Sequence, residues 1–137
     1  MDVFVLNRTK AKKYSYQEHN LKSVIVSIND LDQNLINFNN NENNNILAVI
    51  KLRFDDVTSG YGVIKDNQAM KIANFIKYWV DKTDIIVVHC SAGVSRSAGC
   101  AAAIMKYINN DDTPIFKNPR YVPNMTVYRS VLTALMT

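Results

Sequence analysis

Only two cysteines, Cys90 and Cys100, occur in the 137 residues. A disulfide-stapled scaffold needs more, so two thiols point to a reducing compartment and a cytoplasmic location. No apolar run approaches the roughly 20 residues of a membrane span. Met1-Asp2-Val3-Phe4-Val5-Leu6 carries an early acid and no basic lead, unlike a secretory signal, and no membrane partner is expected. No His/Cys/Asp cluster shows metal-ligand spacing, so neither a metal nor a cofactor is expected. The net charge of +4 is small and scattered, which argues against a nucleic-acid partner and is enough only for mild attraction of anionic substrates.

What is present fits one ordinary globular domain, residues 1–137, with 47% hydrophobic and 20% charged residues. Val3–Leu6 reads as a first strand. Arg8, Lys10, Lys12 and Lys13 surround a short helix, and their patch reads as a solvated face before a substrate-docking surface. His19 falls in a polar linker and is given no role. Val24–Ile28 is the second strand. Residues 29–45 contain nine asparagines and read as a loosely ordered surface loop with room for one helical turn. Ile46–Phe54 is a third strand, expected at the sheet centre. Asp66 or Asn67 is expected to cap a helix whose apolar stripe includes Ile72, Ala73, Ile76 and Trp79. Ile85–Val88, apolar and β-branched, is a fourth, fully buried strand. An Ala-rich helix runs from Arg96 to about Asn109, and the last helix begins at Asn124. Strands alternating with helices predict an α/β fold with a central, mostly parallel sheet of about four to five strands.

The most informative stretch is His89-Cys90-Ser91-Ala92-Gly93-Val94-Ser95-Arg96-Ser97. A cysteine stands at a strand end, a short loop follows, and Arg96 and Ser97 open a helix. The successive backbone N–H groups of such a loop form an anion nest, and the helix N-terminus adds partial positive charge. Gly93 allows a turn that a Cβ would obstruct. Arg96, six residues after Cys90, can close over the same anion with its planar fork. A thiol in this setting is acidic, so nucleophile and oxyanion cradle coincide.

His-Cys-x-x-Gly-x-x-Arg-Ser resembles the signature of the cysteine-dependent protein tyrosine phosphatases. Its Ser95-Arg96-Ser97 ending is similar to the dual-specificity branch and to small phosphatases of bacteria and phages. The resemblance is specific over about 46–137 and loose before that. It implies the phosphotyrosine-phosphatase fold and hydrolysis of phosphate monoesters, with phosphorylated proteins or peptides as substrates. Cys90 is then the nucleophile that forms a phosphocysteine. Arg96 and the loop residues Ser91, Ala92, Gly93, Val94 and Ser95 bind the phosphate, and Ser97 hydrogen-bonds the departing thiolate. His89 orders the loop and helps depress the Cys90 pKa, and Asn124, after Pro123, braces the loop. The family's general acid follows the preceding strand, where Asp55 and Asp56 compete and the pattern favours Asp56.

Other readings stay open. Cys100 is a buried core thiol or a partner that traps oxidised Cys90 as a disulfide. A phosphoprotein-binding module without turnover is the alternative function, and a thiol redox enzyme is a third. No lysine stands among Ser91, Ala92, Val94 and Ser95, which lowers inositol-phosphate and phosphoinositide substrates. RNA 5′-phosphatase activity stays a minor option.

Overall fold

The computed structural model describes the backbone of all 137 residues and every side chain but that of Glu42. Its strands are β1 (Asp2–Leu6), β2 (Ser23–Asn29), β3 (Ile46–Arg53) and β4 (Ile85–His89). Its helices are α1 (Arg8–Ser15), α2 (Asp66–Trp79), α3 (Arg96–Asn109), α4 (Thr113–Phe116) and α5 (Met125–Leu135), with a 3-10 turn at Glu42–Asn44. The four strands form one parallel sheet in the order β1-β4-β2-β3. This is the expected α/β architecture.

The centre of the sheet is β4 and β2, not β3. Every residue of β2 and β4 is buried, as parallel strands covered on both faces must be. The longer apolar run of β3 suggested a central strand, yet it pairs on one side only, and Lys51 and Arg53 lie exposed on it. Two serines and an asparagine disguise β2; Ser27 and Asn29 find hydrogen-bond partners inside the protein, whereas the buried Ser23 hydroxyl has none among the described residues.

Side chains alternate across the sheet. Val24, Val26 and Ile28 of β2, with Ile86 and Val88 of β4, join the main core beneath α2, α3 and α5. Ile25, Ile85 and Val87 face the other way, toward Tyr14 of α1 and Phe38. The same alternation puts Cys90 on the main-core face and His89 on the opposite one.

Local chemistry sets the helix ends. Asn7 caps α1, its Oδ1 accepting from the Lys10 N–H at 2.8 Å. The cap of α2 is Lys65, not Asp66 or Asn67; Gln68 Oε1 accepts the Lys65 N–H at 2.9 Å. Asp66 becomes the first helical residue, where its charge suits the helix dipole. Asn110 ends α3 in the left-handed region, at φ 54°. The short α4, with proline in its first turn, was not foreseen. Asn124 caps α5 through both the Thr126 and Val127 N–H groups.

The asparagine-rich segment is more firmly tied than its composition suggests. The Asn39 N–H donates to Ser15 Oγ at 3.1 Å, Asn44 Nδ2 to Ser15 O at 2.9 Å, and Asn45 Nδ2 to His19 O at 2.6 Å. Ile36 is buried, and Phe38 lies against the His89 ring with centroids 5.9 Å apart. Asparagine amides thus replace the apolar contacts that order most segments. His19 is half-buried, stacked on Tyr14 at 3.9 Å.

Candidate active site

Cys90 is the first residue beyond β4 and is 2% exposed. Its Sγ lies 3.0 Å from Ser97 Oγ, at the start of α3. Burial pushes the thiol pKa up and is the largest single influence. The Ser97 hydroxyl, the backbone N–H groups of Ser97 and Gly93, and the Arg96 charge together outweigh it, and the thiol ends below its ordinary value. Cys100, also free, is fully buried, and burial with the neighbouring Cys90 pushes it up to about 12. It stays a protonated core thiol near neutral pH.

The loop between Cys90 and α3 is braced from two sides. Gly93 sits at φ +71°, and a Cβ there would lie 2.8 Å from the backbone of Leu6 and Asn7. Both facts require glycine. Beside it, the Arg8 N–H donates to Ser91 O at 3.2 Å. On the other side, the N–H groups of Val122 and Asn124 donate to Val94 O and Ser95 O, each at 3.0 Å.

Arg96 is 4% exposed. Nη1 donates to the Phe54 carbonyl at 2.7 Å. Nη2 donates to Ser91 Oγ at 3.3 Å and pairs with Asp30 Oδ1 at 2.6 Å. Nε is buried and has no partner among the described residues. An orphaned guanidinium N–H is costly unless an acceptor visits it. A cleft of about 380 Å³ opens here, lined by Asp30, Asp55, Asp56, Val57, Cys90, Ser91, Ala92, Ser95 and Arg96. Gly93 and Val94 do not line it, and Ser97, His89 and Asn124 stand behind it.

The two loop acids are held differently. Asp56 Oδ1 accepts from Ser95 Oγ at 2.8 Å and from Asn124 Nδ2 at 3.0 Å. Asp55 Oδ1 accepts the Leu31 N–H at 3.0 Å, and its carboxyl lies over Gly62. The Asn124 side chain therefore braces the acid loop, also donating to Val57 O at 3.1 Å. Only its backbone N–H touches the cysteine loop, because its Oδ1 is committed to capping α5.

Behind the cysteine runs a buried polar chain. Arg8 Nη1 donates to Asn29 Oδ1 at 2.6 Å, and Asn29 Nδ2 donates to Ser27 Oγ at 3.2 Å. Ser27 Oγ and His89 Nε2 are 2.6 Å apart, and His89 Nδ1 is 3.2 Å from Cys90 O. A carbonyl only accepts, so Nδ1 carries the proton and Nε2 accepts from Ser27. Burial, with the charges of Arg8 and Arg96, lowers the His89 pKa to about 4 against the opposing Cys90 carbonyl bond. The imidazole is neutral, so it orders the loop through hydrogen bonds and brings no positive charge to the thiolate.

Asp30, Gln33, Ser27 and Asn29 were missed from sequence. Gln33 Nε2 donates to Ser91 Oγ at 3.1 Å, and Gln33 Oε1 accepts the Asp30 N–H at 2.8 Å. The available signal was positional: Asp30 follows β2 at the same carboxyl edge as Cys90, where open α/β sheets place ligands. Among the described residues no group of three or more His, Cys, Asp or Glu is placed to hold a metal, and no helix is long and apolar enough to cross a membrane.

No protein-family model matches the chain, and no curated protein does. Solved structures do. Tk-PTP in its active form superposes with a TM-score of 0.61 at 15% identity, covering 99% of this chain and 92% of that one. Human DUSP28 gives 0.60 at 11% identity, with 98% and 91% covered. PTPMT1 in complex with PI(5)P gives 0.58 at 17% identity, with 98% and 90% covered. With its Cys90–Arg96 loop at the carboxyl edge of a parallel sheet, the chain has the fold of the cysteine-based tyrosine and dual-specificity phosphatases.

Proposed function

We propose that this chain, as one phosphatase domain, hydrolyses phosphate monoesters on proteins, phosphotyrosine first and phosphoserine or phosphothreonine second, through a phosphocysteine. The observation that carries this reading is the shared cleft of a pKa-lowered thiol and a buried, unpartnered Arg96 Nε. A nucleophile and a guanidinium lining one pocket suit phosphoryl transfer.

In the first step the Cys90 thiolate attacks phosphorus and the ester P–O bond breaks. The leaving oxygen takes a proton from Asp56. Arg96 Nε and the loop N–H groups hold the equatorial oxygens as their charge grows. In the second step Asp56 takes a proton from water, the water oxygen attacks phosphorus and the S–P bond breaks. Ser97 Oγ, 3.0 Å from Sγ, stabilises the returning thiolate. Asp56 is chosen over Asp55 because Ser95 of the loop and Asn124 hold it beside the cysteine loop.

The bound PI(5)P of PTPMT1 raises a lipid headgroup as a rival substrate. The loop side chains here are Ser91, Ala92, Val94 and Ser95, without a cation for extra phosphates. That favours a phosphoprotein, met in the cytoplasm.

Hydrolysis of a small aryl phosphate near pH 6 under reductant tests the proposal, wild type beside Cys90→Ser. Activity lost with Cys90→Ser and indifferent to a chelator supports it. An inactive wild type that binds phosphopeptide tightly would replace it with a binding module. Asp56→Ala should slow substrates with poor leaving groups far more than Asp55→Ala does; equal effects would undo the choice of acid.

A further inference from the structure

A second cleft is larger than the one holding Cys90. It measures about 700 Å³ and is lined by Arg8, Thr9, Lys12, Lys13 and Tyr16 of α1 and its end, facing Leu35, Ile36 and Asn37. Among the described residues three cations line it and no acid does. Among the described residues neither lysine takes part in an ion pair. Sequence alone favoured a solvated helix face over a substrate-docking surface for these cations. The structure sets them around a concavity instead, with Tyr16 and Leu35 exposed at its rim and Ile36 buried beneath. Concave, basic and partly apolar, it is complementary to an acidic chain with an occasional apolar side chain.

The two clefts adjoin. Arg8 lines the basic one, and its backbone N–H holds the carbonyl of Ser91, which lines the cleft of Cys90. Gln33 and Asn34 form the divide: Gln33 bonds Ser91 Oγ, and Asn34 O accepts from Arg8 Nη2. From Arg8, α1 runs away from the cysteine loop. At about 1.5 Å per residue, Arg8 to Tyr16 spans roughly 12 Å, the length of about four extended residues.

We infer that the basic cleft along α1 docks an acidic, extended segment of the phosphoprotein substrate that flanks the phosphorylated residue. This rests on the phosphatase reading and narrows its substrate class. Arg8 serves both clefts: its guanidinium is spent on Asn29 and Asn34, so its charge is fixed in place while Lys12 and Lys13 are free to follow the ligand.

The test compares three substrates at low salt: a small aryl phosphate, a phosphotyrosine peptide with Asp or Glu three to five residues from the phosphotyrosine, and the same peptide with Asn and Gln there. Wild type should prefer the acidic peptide over the neutral one by roughly tenfold in kcat/KM, through KM, and salt should erode the preference. Lys12→Glu/Lys13→Glu should abolish the preference and leave aryl phosphate turnover unchanged; Lys12→Gln/Lys13→Gln should give an intermediate loss. No preference in wild type, or a loss equal on all three substrates, overturns the inference. If no substrate is turned over, the phosphatase reading fails by itself. Fluorescence anisotropy of a labelled acidic peptide, wild type against the glutamate variant, then still decides the cleft: equal binding sinks it. Binding to anionic-lipid vesicles lost in the same variant, with no peptide preference, would assign the cleft to a membrane surface instead.

Discussion

At the scale of single residues, the thiol of Cys90 is set by a contest between burial and four stabilising contacts. Because the sum favours the thiolate, alkylation of Cys90 should show its inflection below that of an ordinary free thiol. Ser97→Ala removes the 3.0 Å hydroxyl contact, so the inflection should move upward and phosphocysteine breakdown should slow. Rate against pH for wild type and variant checks both, and an unmoved inflection would show that the backbone and Arg96 suffice. His89 gives the opposite kind of linkage. Its folded pKa is lowered to about 4, whereas the unfolded ring titrates near 6.5. Between those values the unfolded chain binds more protons, so stability rises with pH through the window. The full stability is present above about 6.5 and is lost as pH falls toward 4, by on the order of 3 kcal/mol. Urea denaturation at pH 5 and 7.5 should show that slope in wild type and a flatter one in His89→Gln; parallel slopes would assign the acid sensitivity elsewhere.

Whole elements carry the next level of control, and Asn124 joins three of them. Its oxygen caps α5, its amide nitrogen holds the Asp56–Val57 loop, and its carbonyl would lie 2.4 Å from a Cβ at position 99. Asn124→Ala should cost about 1 kcal/mol for the cap. Activity on poor leaving groups should fall further than stability does, because the acid loop is released. Asn124→Ser keeps a capping oxygen and loses the bridge, so it should recover the stability and not the activity; recovery of both would reduce Asn124 to a cap. Elements of this kind were unevenly legible. The β4–loop–α3 unit could be read because its chemistry is contiguous: a β-branched run, a cysteine, a glycine, an arginine and an alanine-rich helix. The acid candidates Asp55 and Asp56 came from the resemblance, which places the family's acid after the preceding strand. By contrast, β3 was misplaced because apolar length does not tell an edge strand from a central one. The function of the Asn124 amide was hidden because its partners lie 68 and 67 residues away.

Over the whole molecule, the site is assembled where strand ends converge, and its least legible member is the carboxylate that pairs with Arg96. Asp30, from the end of β2, meets Arg96 only because β2 and β4 are neighbours in the sheet. No local pattern announces an ion pair between residues this far apart in sequence. Within it, the Asp30 carboxylate compensates a guanidinium that is almost wholly buried, and whose Nε has no partner among the described residues. Removing one partner of a buried pair leaves the other charge uncompensated. Asp30 is about one-third exposed, so solvent screening reduces the loss, and Asp30→Asn should destabilise the free protein by only about 1 kcal/mol. A bound oxyanion would then supply the missing charge. Inorganic phosphate should therefore raise the melting temperature of Asp30→Asn more than that of wild type, and its inhibition constant should fall. Thermal unfolding of both proteins across a phosphate series measures this directly. A variant less stable than wild type yet no more responsive to phosphate would mean that Asp30 orients Arg96 rather than competing for its charge. One role predicts a gain in phosphate affinity and the other none, which makes this carboxylate an informative substitution in the cleft.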